Sequence, residues 1–261
     1  MTTTIPSHRY ADTVNDSVVM MKRCVRRSLR DPEAFFTALT LPVILMLLFV
    51  YVFGGAMQTG VAYVNYVVPG IIVLCAGFGA GTTSVAVAQD MSNGLVDRFR
   101  SMPVVSGSLL IGHIGASVLR NMLATTLVIG VGLLVGWRPT GSFVDWLAAL
   151  AVIVVFVLAL SWLAAAFGVV ASGPESANLM TIVFMFLPYV STAFVPADTM
   201  PHWLRGFAEY QPVTPIIETL RGLWMGTDSG QQPVVALVWC GGILLCAVIA
   251  ATRAYNRRNM R

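Results

Sequence analysis

Charge is what this sequence has least of. Only 11% of its 261 residues are charged, against about 25% in an ordinary soluble domain. Hydrophobic residues make up 57% and the mean hydropathy is +0.78. A chain this poor in charge cannot clothe a water-facing surface, so the composition is that of an integral membrane protein. The 16 basic and 12 acidic residues leave a net charge of +4. The basic ones sit beside apolar runs and form no patch on a folded face, which argues against nucleic-acid binding. The four cysteines, Cys24, Cys75, Cys240 and Cys246, make no CxxC pair, and three lie in apolar runs. They read as small buried hydrophobes, with no disulfide framework and no metal site. HExxH, GxSxG, a Walker loop and a clustered carboxylate pair are all missing. The apolar runs hold almost no ionisable residue, so the proton relay of a coupled transporter is missing too. No ion filter is visible, and the chain carries no energy source of its own.

What is present is a series of long apolar runs. A hydrocarbon core of about 30 Å needs roughly 20 apolar residues as a helix. Runs at 36–54, 63–89, 118–135, 146–171, 177–195 and 234–252 meet that need. The expected fold is an all-α integral membrane protein with six transmembrane helices. The first run is longer and starts later than the about 7–15 apolar residues of a signal peptide, so it reads as a span. In the second run Gly77, Gly79 and Gly81 resemble a nucleotide loop only superficially, because no strand precedes them. They and the Ala164–Ala166 face read as small residues that let helices approach closely. Pro188 should kink the fifth run. In the third, His113 reads as an interface residue. Arg120 is expected to snorkel back to the surface, since a centred arginine costs about 2.5–3.5 kcal/mol.

Three segments break this regularity. In 14–30, Val14, Val18, Met21, Val25 and Leu29 form an apolar stripe. Lys22, Arg23, Arg26, Arg27 and Arg30 lie opposite, as in a helix lying in the membrane interface beside anionic lipids. The island 90–103, DMSNGLVDRFRSMP, is charged and must stay wet between two spans. Segment 200–226 holds Pro201, Glu209, Pro212, Pro215, Glu218 and Arg221 among apolar residues. It reads as one or two short helices that enter the outer leaflet and return, since irregular backbone at depth must be buried in protein or line a cavity. Glu218 and Arg221, three apart, can pair on one helix face.

Lysine and arginine accumulate on the cytoplasmic side of a membrane. Arg9, the five basic residues of 14–30, Arg98, Arg100 and the tail arginines Arg253, Arg257, Arg258 and Arg261 fall on one side of a six-span arrangement. Arg138, Arg205 and Arg221 fall on the other. The expectation is a plasma (inner) membrane protein with both termini and the island cytoplasmic.

Asp90, Gly94, Asp97, Arg98, Arg100 and Pro103 in the island, together with QPVTPIIETLRGL at Gln211–Leu223 and the basic helix before the first span, carry a resemblance. The chain resembles the membrane subunit of type 2 ABC transporters over nearly its whole length, and within them the daunorubicin-resistance branch. The resemblance implies a single transmembrane domain over 1–261 that dimerises, as a homodimer rather than a heterodimer, among membrane lipids. It implies two copies of a separate ABC ATPase subunit, so that this chain is no enzyme, binds no cofactor, and leaves ATP and magnesium to its partner. The island then becomes a cytoplasmic coupling helix, with Leu95, Phe99 and Met102 as its apolar stripe and Asp97, Arg98 and Arg100 as polar contacts. A substrate path would follow the second and fifth spans past Phe78, Asn178, Met185, Tyr189 and Phe194. The re-entrant residues Pro212, Thr214, Pro215, Glu218 and Arg221 would close its exit. Export of hydrophobic or amphipathic drugs or lipids is the leading function. A cell-wall glycan or glycolipid cargo would want more polar groups along those spans. An intramembrane enzyme would want a His, Ser or carboxylate cluster, and a scaffold would recruit an ATPase without transport.

Overall fold

The computed structural model describes residues 10–30, 32–57, 61–93 and 107–259. Regular structure among them is helical throughout. Helix α1 (Tyr10–Arg30) precedes α2 (Pro32–Leu48), which continues as a π-helical turn, Phe49–Phe53. Then come α3 (Tyr63–Ser92), α4 (Ser108–Val135), α5 (Phe143–Val170) and α6 (Pro174–Phe186). Short 3-10 turns at Leu187–Val190 and Ala197–Thr199 lead to α7 (His202–Tyr210), α8 (Val213–Met225) and α9 (Gln232–Asn259). Among the described residues, five stretches are long and apolar enough to cross a membrane: Phe36–Phe53, Tyr63–Ser92, Ser108–Val135, Phe143–Val170 and Gln232–Arg257.

Helix α3 is the axis. Helices α2, α4, α5, α6 and α8 all pack on it, and Val67, Val68, Ile71 and Leu74 lie at its sealed centre. Its glycines make this possible. A Cβ on Gly77 would stand 2.6 Å from the Phe184 carbonyl oxygen, and one on Gly70 would stand 2.7 Å from that of Ala193. Small residues let helix backbones close to this distance where lipid offers no competing hydrophobic drive. Asp90 marks one end of the bundle, where Val87, Met91, Leu109, Ala165, Val169 and Tyr255 form their own cluster. At the opposite end Trp137, Trp146 and Trp224 meet with ring centroids 5.2–5.9 Å apart.

Helix boundaries follow local chemistry. Ser142 caps α5 in a reciprocal pair with Asp145, satisfying donors that the first turn leaves open. Gly136 (φ +110°) and Gly226 (φ +64°) end α4 and α8 in the left-handed region. Pro215 falls in the first turn of α8, where a missing N–H removes no helical hydrogen bond.

The fifth expected span differs from 177–195. Its α-helix is α6, 13 residues, or about 20 Å, shorter than the roughly 30 Å core. Pro188 does not kink a continuing helix; the α-helix ends before it, at Phe186, and the backbone tightens into a 3-10 turn. The chain nevertheless keeps to α3. Thr181 touches Gly81, Phe184 meets Gly77 and Ala193 meets Gly70. The Tyr63 hydroxyl then donates to the Phe194 carbonyl over 3.0 Å. Helix α4 starts at Ser108, well before the 118–135 expected of the third span, so His113 and Arg120 are both helical.

Candidate functional site

Two polar clusters stand at opposite ends of α3. The first is built on Asp90, in its last turn and buried. Arg27 Nη1 of α1 donates to Asp90 Oδ1 over 2.5 Å, and Arg27 Nη2 donates to Gln89 Oε1 over 2.7 Å. His113 Nε2 of α4 lies 3.0 Å from Asp90 Oδ2, and Arg23 Nη1 lies 3.6 Å from it. One carboxylate thus fastens α1 to both helices that flank the island. A buried carboxylate needs such partners, because its desolvation is otherwise uncompensated.

Helix α1 also packs along the first half of α4. Met20 and Cys24 are buried, and a Cβ on Gly112 would meet Met20 at 2.8 Å. Met21, from the stripe expected to face lipid, would meet a Cβ on Gly115 at 2.6 Å, so that part of the stripe faces α4. Val18 and Leu29 stay exposed, and so do Lys22, Arg26 and Arg30. The remaining proposed coupling residues, Gly94, Leu95, Asp97, Arg98, Phe99, Arg100, Met102 and Pro103, lie outside the described residues.

Arg120 does not snorkel. It turns into the protein and donates to the Ser28 hydroxyl at 3.2 Å, the Gly79 carbonyl at 3.3 Å and the Thr83 hydroxyl at 3.1 Å. Three neutral acceptors across α1 and α3 replace the expected reach to the surface.

The second cluster holds the far end. Arg221 Nη1 donates to Glu218 Oε1 over 2.6 Å, the pairing expected from their spacing. Its Nη2 reaches the carbonyls of Tyr66 (3.0 Å) and Thr192 (3.2 Å), and the guanidinium stacks 3.7 Å over the Tyr66 ring. Thr192 in turn donates to Glu218 Oε1 over 2.7 Å. The Thr214 hydroxyl donates to the Ala208 carbonyl over 2.5 Å, closing the corner between α7 and α8. Pro212 and Pro215 frame that corner without joining the network. On α7, Glu209 sits 2.7 Å from Arg205 and raises that guanidinium above its ordinary value. Both are exposed, so the pair contributes little to stability.

The five path residues are not all brought together. Tyr189 and Phe194 stack at 5.0 Å, with Phe49 on the other face of Phe194 at 4.3 Å. Phe194 is buried in the core, while Phe78, Met185 and Tyr189 are half-buried against it. Asn178 stands apart, exposed on α6 beside a cavity bounded by α1, α3 and α4. Sequence reasoning missed Tyr66 as the platform for Arg221, and it missed His113 as the partner of Asp90. In neither case does the spacing within one helix reveal the contact.

A chain whose described residues are helical and include five helices long and apolar enough to span a membrane is a multi-pass membrane protein. Residues 16–225 match the ABC-2 type transporter family, and the chain belongs to it. It is 30% identical to a daunorubicin resistance ABC transporter permease protein of Streptomyces coeruleorubidus over 95% of this chain and 89% of the relative. A probable doxorubicin resistance ABC transporter permease protein of Mycobacterium tuberculosis is 26% identical over 94% and 89% of the two chains. A putative transport permease of Porphyra purpurea is 23% identical over 92% and 84%.

Proposed function

We propose that this chain is the membrane subunit of an ATP-driven exporter of hydrophobic or amphipathic compounds, paired with a second permease chain and two copies of a separate ATPase subunit. Family membership and the permeases of drug resistance among its relatives support that reading. The observation that carries the mechanism is the Asp90 clamp, where one carboxylate holds Arg27 of α1 and His113 of α4. A push on segment 90–103, made by the ATPase as it closes on ATP, passes into α1, α3 and α4 together. The glycine contacts then pass the tilt of α3 to α6 and the 187–194 segment. In this arrangement Asp97, Arg98 and Arg100 contact the ATPase, and Leu95, Phe99 and Met102 seat the coupling helix.

The same reading gives six crossings, with the 177–195 stretch as the fifth despite its broken helix, and both termini with 90–103 on the cytoplasmic side. Helices α7 and α8 form the re-entrant hairpin, held at the exit by Glu218 and Arg221. Lys22, Arg26 and Arg30, left open by α1, face anionic lipid. The exposed residues Val183 and Phe186 of α6 line the face shared with the second chain and the cargo. An enzyme or scaffold reading lacks any observation in its favour.

Co-purification with its candidate ATPase tests the proposal. The complex should form, and its ATP hydrolysis should rise when amphipathic compounds are added. No association with any ATPase, or hydrolysis indifferent to every such compound, would count against it.

A further inference from the structure

A cavity of about 480 Å³ opens among α1, α2, α3, α4 and α6 at the end of the bundle that carries Asp90. That size lies within the about 300–1,000 Å³ of small-ligand sites. Its charge is one-sided: Arg27, His113 and Arg120 reach its wall. Asp90, the carboxylate beside them, is already shared by Arg27, His113 and Arg23. Arg120 has only the neutral Ser28, Gly79 and Thr83 acceptors, and its Nε is buried without a partner. Among the described residues no carboxylate stands within ion-pair distance of it. A guanidinium withdrawn from water calls for a counter-charge.

A phosphate or carboxylate would supply both the missing charge and the missing acceptor, and the planar guanidinium fork matches such oxyanions. Thr82 and Asn178 add neutral hydrogen-bonding groups to the same wall. Helices α2 and α6 each pack on α3 rather than extensively on one another. Leu179 and Ile182 of α6 are exposed and lie one and four residues beyond Asn178 of the cavity wall, so apolar surface adjoins the charged pocket.

We infer that this cavity binds the oxyanion headgroup of an amphiphile, with Arg120 pairing with the headgroup and the tail lying between α2 and α6. No ATPase is needed for this binding, so its failure would leave the exporter reading untouched.

Native mass spectrometry of the full chain, titrated with phosphatidic acid and phosphatidylcholine of identical tails, tests it. Phosphatidic acid should bind at least about tenfold more tightly. Arg120→Gln should erase that preference, Arg120→Lys should keep part of it, and Arg205→Gln, on exposed α7, should leave it unchanged. Inorganic phosphate that displaces the lipid makes the headgroup sufficient; phosphate that does not makes the tail part of the ligand. Either result keeps the oxyanion site. Where Arg120→Gln does not fold, a cysteine at Asn178 reads occupancy instead. Phosphatidic acid should protect it from a maleimide and phosphatidylcholine should not. Equal affinity for both lipids, a preference that survives in folded Arg120→Gln, or no protection at Asn178 would overturn the inference.

Discussion

Asp90 is the residue on which most of the polar architecture turns. It is buried and meets three basic side chains from two other helices. Removing it leaves buried His113 without its partner, while Arg23 and Arg27 keep access to water, so the cost is that of one unmet buried polar group, about 1–3 kcal/mol. Asp90→Ala is therefore expected to lose about 1–3 kcal/mol of stability, read as a lowered melting temperature of the detergent-solubilised chain. Adding Arg27→Ala to it should cost less than the sum of the two single changes, because both remove the same contact. At the far end, Arg221→Ala removes the cation paired with Glu218 and a donor to the Tyr66 and Thr192 carbonyls, leaving Glu218 only the Thr192 hydroxyl. A loss of about 1–3 kcal/mol is expected, and Arg221→Lys should recover only part, since a compact ammonium lacks the planar fork that spans these acceptors and stacks on Tyr66. The Glu218–Arg221 pair was legible from a three-residue spacing. The Arg27–Asp90 contact was not: it joins residues 63 apart in sequence, and helical periodicity carries no information across such a distance. Arg120 was misread for a related reason. Snorkelling is judged against lipid and water, whereas the structure offers it acceptors on neighbouring helices.

At the scale of elements, glycine sets how closely α6 and the segment after it approach α3. Gly77→Ala would press a methyl group on the Phe184 carbonyl and should cost about 1–3 kcal/mol through overpacking. Gly130 of α4 has nothing within 4 Å of its added Cβ. Gly130→Ala should be neutral or stabilise by up to about 1 kcal/mol through helix propensity. Thermal unfolding of both variants checks the contrast, and equal effects would sink this account of helix approach. Five of the long apolar runs were legible because length and hydropathy alone mark a helix able to span. The run at 177–195 shows the limit. Hydropathy registers its apolar content but not that the α-helix stops at Phe186 and that hydrogen bonds from Tyr63 and Tyr66 hold the following segment. The interruption at Gln211 between α7 and α8 was visible from the prolines, yet Pro215 proved harmless in a first turn.

At the scale of the whole molecule, the proposal is a bundle whose two ends face different compartments. With Cys246 changed to Ser to remove an exposed thiol, a cysteine at Asp228 should react with an impermeant maleimide in intact cells. One at Asn93 should react only after permeabilisation. The reverse pattern would invert the topology. What composition indicated, a membrane protein, agrees with the family to which the chain belongs.

The most direct measurement is uptake of a fluorescent amphiphile into proteoliposomes holding this chain with its ATPase. The account predicts transport that needs ATP, stops when the ATPase is left out, and falls to background in Asp97→Ala/Arg98→Ala while the complex still assembles. Transport at full rate without the ATPase, or undiminished in that double variant, would contradict it.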